Sequence, residues 1–264
     1  MLKYQLNLVL LRKFPSRSLY RIQSVKSLFI YVSRVITKLL STAVKFYLRS
    51  LVSQVEDLQV KIIGKNSQIL KGYIPEVFLS CQRAVYQGLH LREVIINGTD
   101  IAINLPEVLK KKPLRLLEPL IVDLQVSLNE NDLNASIDSD LLQSGLSDLW
   151  QIILSKSQIT LDNWQLVDIP IEWNQIAIAN NQLNLLGTYQ DNTGKDHNLN
   201  VSTEINLSNS HTLSLFPLKI SNNINCIDQL TEKLEIDLGQ DINIEKLIVE
   251  SEQILCLGKI TINN

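Results

Sequence analysis

Acidic residues are missing from the first 55 positions of this 264-residue chain. Ten cations stand there unanswered: Lys3, Arg12, Lys13, Arg17, Arg21, Lys26, Arg34, Lys38, Lys45 and Arg49. The first carboxylate is Glu56, and all 27 acidic residues follow, so the formal net charge of −2 conceals a strong division along the chain. A segment of one sign draws anionic surfaces: phospholipid, nucleic acid or an acidic protein face. Aromatics are also scarce, at 6%, with a single Met. That scarcity removes the stacking platform of single-strand nucleic-acid binders and makes nucleic acid an improbable partner.

The catalytic inventory is equally thin. The three histidines, His90, His197 and His211, form no His-x-x-x-His pair, and the three cysteines, Cys81, Cys226 and Cys256, form no Cys-x-x-Cys pair. No zinc site is supported, and no metal or cofactor is expected. An odd number of widely spaced cysteines implies no disulfide framework, and we read them as small buried hydrophobes. Glycine-rich phosphate loops and the Gly-x-Ser-x-Gly elbow are absent, so the chain is read as a non-enzyme. No uninterrupted apolar run of 18 residues occurs. A spanning helix is therefore not expected, and Arg12 and Lys13 follow the short run Leu8–Leu11 without a small-residue cleavage site. The expected location is cytoplasmic or peripheral to a membrane, with export left open.

What is present is a long helical pattern and then strands. From Ser24 to Val55, apolar residues including Val32, Ile36, Leu39 and Ala43 recur at three- and four-residue steps without Gly or Pro. This predicts one nearly continuous helix capped by Ser24, about 45 Å long, with those four residues buried against sheet. Lys26, Arg34, Lys38, Lys45 and Arg49 fall on its opposite side and are the membrane-surface candidates. Alternation then predicts strands over 58–62, 73–82, 89–96, 101–105 and 120–128, with a hairpin turn at Asn97-Gly98. Asn129 and Asp132 read as caps of a short helix, and Asp138 or Ser139 as the cap of a longer one burying Leu142, Leu146, Leu149, Trp150 and Ile153. Further strands are predicted over 158–164, 172–178, 181–188, 198–206 and 212–221. A loop is expected over 190–198 and a helix over 227–238, followed by strands over 243–250 and 253–262. The class is α+β, an extended antiparallel sheet with a few long helices. Residues 1–23 read as a basic extension and 24–264 as a single elongated domain.

One cluster could carry binding chemistry. Lys110, Lys111, Lys112 and Arg115 lie within six residues, between Pro106 and Pro119, interleaved with leucines. They read either as a solvated turn or as phosphate-contacting headgroup residues at the mouth of an apolar groove.

The same stretch carries a resemblance. Ala84-Val85-Tyr86-Gln87-Gly88-Leu89, Pro113-Leu114-Arg115-Leu116-Leu117-Glu118-Pro119 and Asn129-Glu130-Asn131-Asp132-Leu133-Asn134-Ala135-Ser136 resemble, in this order, segments of the bacterial LmeA-like phospholipid-binding family. The likeness is strongest over residues 60–154. It implies a TULIP-like fold, a long curved sheet wrapped around a long helix with an apolar channel for acyl chains. It also implies phospholipid or an anionic membrane surface as partner, with lipid transfer or envelope maintenance as the roles that would follow. The alternative reading is an interaction or scaffold protein without a lipid cavity, whose basic helix docks on an acidic partner. Oligomeric state is not legible in the sequence.

Overall fold

The computed structural model describes residues 38, 40–156, 170–179, 182–191, 193–222, 226–230, 232–250 and 252–263. The chain is α+β, with two antiparallel sheets and a few helices. The first sheet has strand order β1-β2-β3-β4-β12-β11. Its strands are β1 (Gln54–Ile63), β2 (Tyr73–Tyr86), β3 (Leu89–Ala102), β4 (Leu120–Asn129), β11 (Ile242–Glu250) and β12 (Gln253–Ile262). The second follows β10-β8-β7-β6-β5, with β9 also on β8. It holds β5 (Glu172–Ala179), β6 (Gln182–Gln190), β7 (Asp196–Asn209), β8 (Thr212–Asn222), β9 (Cys226–Leu230) and β10 (Leu234–Asp237).

The helix α1 is described over residues 40–51. Val32, Ile36 and Leu39 of the expected helix, with its cap Ser24, lie outside the described residues, and Ala43 is half-buried. The expected end at Val55 is corrected, because the chain enters β1 at Gln54. Val55 is committed to the sheet by packing, with Leu58 and Val60, against the buried cluster of Leu79, Cys81, Ala84 and Val94. Only 58–62 had read as strand because β1 is bulged: Asp57 has φ 48° and the register shifts between Glu56 and Gln59, so the alternation breaks there.

Four other expectations are corrected. Asn97-Gly98 is no hairpin turn; β3 runs straight through it, with Asn97 opposite Phe78 and Gly98 opposite both Val77 and Val122. A Cβ on Gly98 would stand 3.2 Å from Val122 Cγ1 and 3.3 Å from Ile101 Cδ1, so glycine serves close packing there. The strand expected over 101–105 ends at Ala102, and Leu105 opens α3 (Leu105–Leu109). The helix expected over 227–238 is replaced by β9 and β10. There Leu234 and Ile236 alternate toward the core and pair with Leu215 and Leu213 of β8. The loop expected over 190–198 is shorter, since β7 begins at Asp196. The strand expected over 158–164 lies outside the described residues.

The short helices behave as capping chemistry requires. Asn129 and Asp132 bond each other's backbone N–H groups at 2.8 and 2.9 Å, closing a capping box on α4 (Glu130–Ala135). Ser139, rather than Asp138, starts α5 (Asp140–Lys156), its hydroxyl accepting from Leu142 N–H at 3.2 Å. Leu146, Trp150 and Ile153 bury that helix against the inner face of the second sheet, with Leu142 and Leu149 packed alongside.

The two sheets are joined through α4. Asn134 donates to Ile176 O at 2.7 Å and accepts from Ile176 N–H at 2.9 Å, and Glu130 accepts from Ile178 N–H at 2.8 Å. These side chains bond the backbone of β5 as a neighbouring strand would. Ser136, wholly buried, accepts from His90 N–H at 2.8 Å and ties α4 back to β3.

Candidate functional site

The inward face of the first sheet is apolar across all six strands. Cross-strand partners of an antiparallel ladder share a face. Val60, Leu79, Ile96 and Leu124 are linked in this way, as are Val77, Gly98, Val122 and Ile260. On β11 and β12 the same face continues with Ile242 opposite Ile260 and Leu247 opposite Cys256. The outward face is mixed and carries the ion pairs of Lys259, at 3.2 Å from Glu245 and 3.8 Å from Asp123.

The described residues of α1 cover only part of this apolar face. Leu40 and Val44 pack with Ile69, Ile74, Ile101, Ile103 and Leu105, whereas Leu48 joins Leu79, Cys81, Ala84 and Val94. The helix therefore runs along the β1–β4 half, from the end carrying α2 (Asn66–Ile69) and α3 toward the Tyr86–Gly88 hairpin. Beside it, Cys256, Ile260, Ile262, Ile242 and Ile244 are half-buried. Among the described residues these five belong to none of the three buried clusters. The burial around Cys256 pushes its thiol pKa up. This strip along β11 and β12 is the candidate groove.

At the α2–α3 end lies the cationic loop, and a residue the sequence reading passed over organises it. Asn104 is 7% exposed. Its amide donates to Glu107 Oε2 at 2.9 Å and to Pro113 O at 3.0 Å, while its oxygen accepts from Arg115 N–H at 2.8 Å. Leu117 N–H then donates to Ala102 O, and Ile103 bridges Leu116. The loop is thus closed at its base, with Lys111 in the left-handed region at φ 63°. Asn104 was legible only as one more polar residue in a supposed strand. Its position three residues before Glu107 was the available signal.

Lys110, Lys111, Lys112 and Arg115 are all exposed. Among the described residues none of the four forms an ion pair within 4.0 Å. Glu107 sits among them. The Asn104 amide, then the charges of Lys112, Arg115 and Lys110, hold its carboxyl below the usual range. Of the helix candidates, Lys38 and Arg49 are exposed and Lys45 is half-buried, while Lys26 and Arg34 lie outside the described residues. Lys45 and Arg49 lie about two and three turns along α1 from Lys38 and do not join the loop cluster. Two cations not singled out by sequence, Lys65 and Lys71, flank α2 at the loop's own end of the sheet.

A separate cleft of about 520 Å³ at the β7–β8 hairpin is lined by Asn209, Ser210, Glu235 and Asp237 among others, too polar for an acyl chain. Among the described residues no cluster of three His, Cys, Asp or Glu could hold a metal, and no helix is long and apolar enough to cross a membrane.

The profile of the family described as LmeA-like phospholipid-binding matches residues 32–259. The chain belongs to this LmeA-like family. The match extends well beyond the 60–154 stretch that carries the visible motifs, into β12. No curated protein and no solved structure gives a significant match. The two antiparallel sheets and few helices agree with the TULIP-like architecture, whereas a long helix enclosed by the sheet goes beyond the described residues 40–51 of α1. The segments that carry the resemblance are joints of the fold. One is the hairpin beside Gly88, where a Cβ would stand 2.6 Å from Ser139 Cβ; the others are the loop fixed by Asn104 and the α4 bonds to β5.

Proposed function

We propose that this LmeA-like chain binds phospholipid at a membrane surface without catalysing a reaction, an acyl chain lying in the strip beside α1. The observation that carries this is the continuous apolar face of the first sheet, part of it under α1 and a strip of it, Ile242, Ile244, Cys256, Ile260 and Ile262 on β11 and β12, outside the buried clusters of the described residues. About eight methylenes laid there would contribute on the order of 6 kcal/mol before ordering costs. Lys110, Lys111, Lys112 and Arg115 are the headgroup residues of this reading, with Arg115 able to grip phosphate bidentately. Lipid transfer or envelope maintenance would follow from such capture, and residues 24–264 would act as one lipid-binding unit behind a basic extension.

The test uses Cys256 as a reporter inside the strip and buried Cys81 as its control. Phospholipid should co-purify in native mass spectrometry. Added phosphatidylglycerol should slow maleimide labelling of Cys256, read peptide by peptide, while Cys81 stays slow throughout. Absence of co-purified lipid together with unaltered labelling of Cys256 overturns the reading and favours a scaffold docking on an acidic partner.

A further inference from the structure

The strongest unexplained feature is an end of the first sheet that is apolar and cationic at once. Leu70, Leu109 and Leu117 are 42, 46 and 56% exposed. They come from three separate segments: the turn after α2, the last residue of α3, and the return of the cationic loop. One buried cluster underlies all three, with Ile69, Ile103, Leu105, Leu114 and Leu116 packed beneath them. The segments are also bonded together. Ile103 N–H donates to Gly72 O at 2.8 Å and Leu117 N–H to Ala102 O at 2.9 Å. Gly72 has φ +83°, and a Cβ there would stand 2.5 Å from Ile103 O, so this approach is open only to glycine.

The cations crown the same segments. Lys65 and Lys71 flank α2, and Lys110, Lys111, Lys112 and Arg115 follow α3. All six are exposed, and among the described residues none is ion-paired. The carboxylates at this end are Glu107, bonded to Asn104; Asp100, bonded to Tyr73; half-buried Glu76, opposite Ile63 and Thr99; exposed Glu118; and, at the far edge beyond β12, Asp241, bonded to Asn263. Positive charge therefore exceeds negative around the three leucines. Lys38, where α1 begins, is at this end as well, since Leu40 packs with Ile69 and Leu105. The opposite end of the sheet is occupied by α4 and the joint to β5.

Exposed apolar side chains ringed by unpaired cations match a bilayer of anionic lipid: the leucines have an apolar phase to enter and the cations a plane of phosphates to meet. An acidic protein face would satisfy the cations and leave the leucines unexplained. We propose that this end of the first sheet is the surface by which the protein docks on an anionic phospholipid bilayer, Leu70, Leu109 and Leu117 entering the interface. This deepens the lipid-binding reading and rests on it, and it moves the membrane contact from the cationic side of α1 to the sheet end.

The full chain is tested in two assays. The first is flotation with phosphatidylglycerol–phosphatidylcholine vesicles. The second is uptake of phosphatidylglycerol from detergent micelles, which needs the groove but no bilayer docking. Leu109→Ser/Leu117→Ser should lower flotation at least tenfold and leave micellar uptake unchanged, with an unaltered melting temperature because both residues are exposed. Lys65→Gln/Lys71→Gln should weaken flotation about fivefold per cation removed, and less at high salt. Unchanged flotation by both variants overturns the docking surface. So does a loss for the lysine variant alone, which makes this end a purely electrostatic face suited to an acidic protein. Parallel loss of micellar uptake overturns it too, by placing the leucines in capture. If the parent takes up no lipid from micelles yet floats with leucine dependence, the lipid-binding reading fails and the docking surface stands.

Discussion

Asn104 and Arg115 bond each other twice through the backbone of Arg115: the Asn104 carboxamide oxygen accepts the Arg115 N–H at 2.8 Å, and the Asn104 N–H donates to Arg115 O at 3.3 Å. A buried side chain thereby fixes where an exposed guanidinium begins. The cationic loop is a built element with a clamp at its base.

Asn104→Ala should accordingly destabilise the fold by about 1–3 kcal/mol, because it leaves Pro113 O and Arg115 N–H without their partner. Asn104→Asp should not rescue it, since Glu107 and Pro113 O both require a donor. Chemical denaturation of the three proteins measures this. Equal stability of parent and Asn104→Ala would show the loop to be held by other means.

Much of the first sheet was legible, because β4 alternates from Val122 to Leu128 and the turns at the two ends of β2 are marked by Gly72 and Gly88. What misled were residues whose local chemistry is overruled by neighbours distant in sequence. Asn97-Gly98 is a strong turn pair that β2 and β4 flatten into ladder from both sides. Leu234 and Ile236 follow residues that fit a helix, and only the free edge of β8 makes them strand. The loop cations were legible as a charge run. Lys65, Leu70 and Lys71 could not be joined to them before the fold was known, since the sequence separates the α2 segment from the loop by some 40 residues.

A contrast on α1 measures how firmly the helix is seated. Leu40 is 1% exposed, whereas Phe46 is 76% exposed. Leu40→Ala should cost about 2–5 kcal/mol through the cavity it leaves. Phe46→Ser should change stability by no more than about 0.5 kcal/mol. If thermal or chemical unfolding ranks the two equally, α1 is not packed on the sheet as described.

Tyr189 offers a stabilising substitution. Among the described residues its buried hydroxyl has no hydrogen-bond partner, and burial, with the nearby Asp191 charge, pushes its pKa up. Removing the oxygen leaves the ring in place, stacked on His197 with centroids 5.3 Å apart. Tyr189→Phe should raise stability by about 1 kcal/mol, since no bond is lost and a desolvated hydroxyl is removed. A loss of stability on denaturation would reveal a partner for that hydroxyl.

The turn next to Tyr189 carries the clearest pH dependence. Asp191 accepts from Thr193 Oγ1 at 2.5 Å, Thr193 N–H at 2.8 Å and Lys195 N–H at 3.1 Å, and its other oxygen lies 2.7 Å from His197 Nε2. These bonds, the Thr193 hydroxyl first and then His197, hold the Asp191 carboxyl far below the ordinary range. The unfolded chain protonates this group near the usual value of about 3.9. Between that value and the depressed folded one, the unfolded state binds the proton more readily, so stability falls as pH falls. Above the unfolded value the contribution is fully present. The Asp191→Asn variant keeps an acceptor for Thr193 and Lys195 but has no proton to bind. The gap in melting temperature between parent and variant should therefore shrink from pH 4 toward 2. Other carboxylates titrate in both proteins and largely cancel in the difference. A gap that stays constant down to pH 2 would mean that Asp191 titrates alike in the folded and unfolded chains, and that its bonds to Thr193 and His197 do not favour its charge.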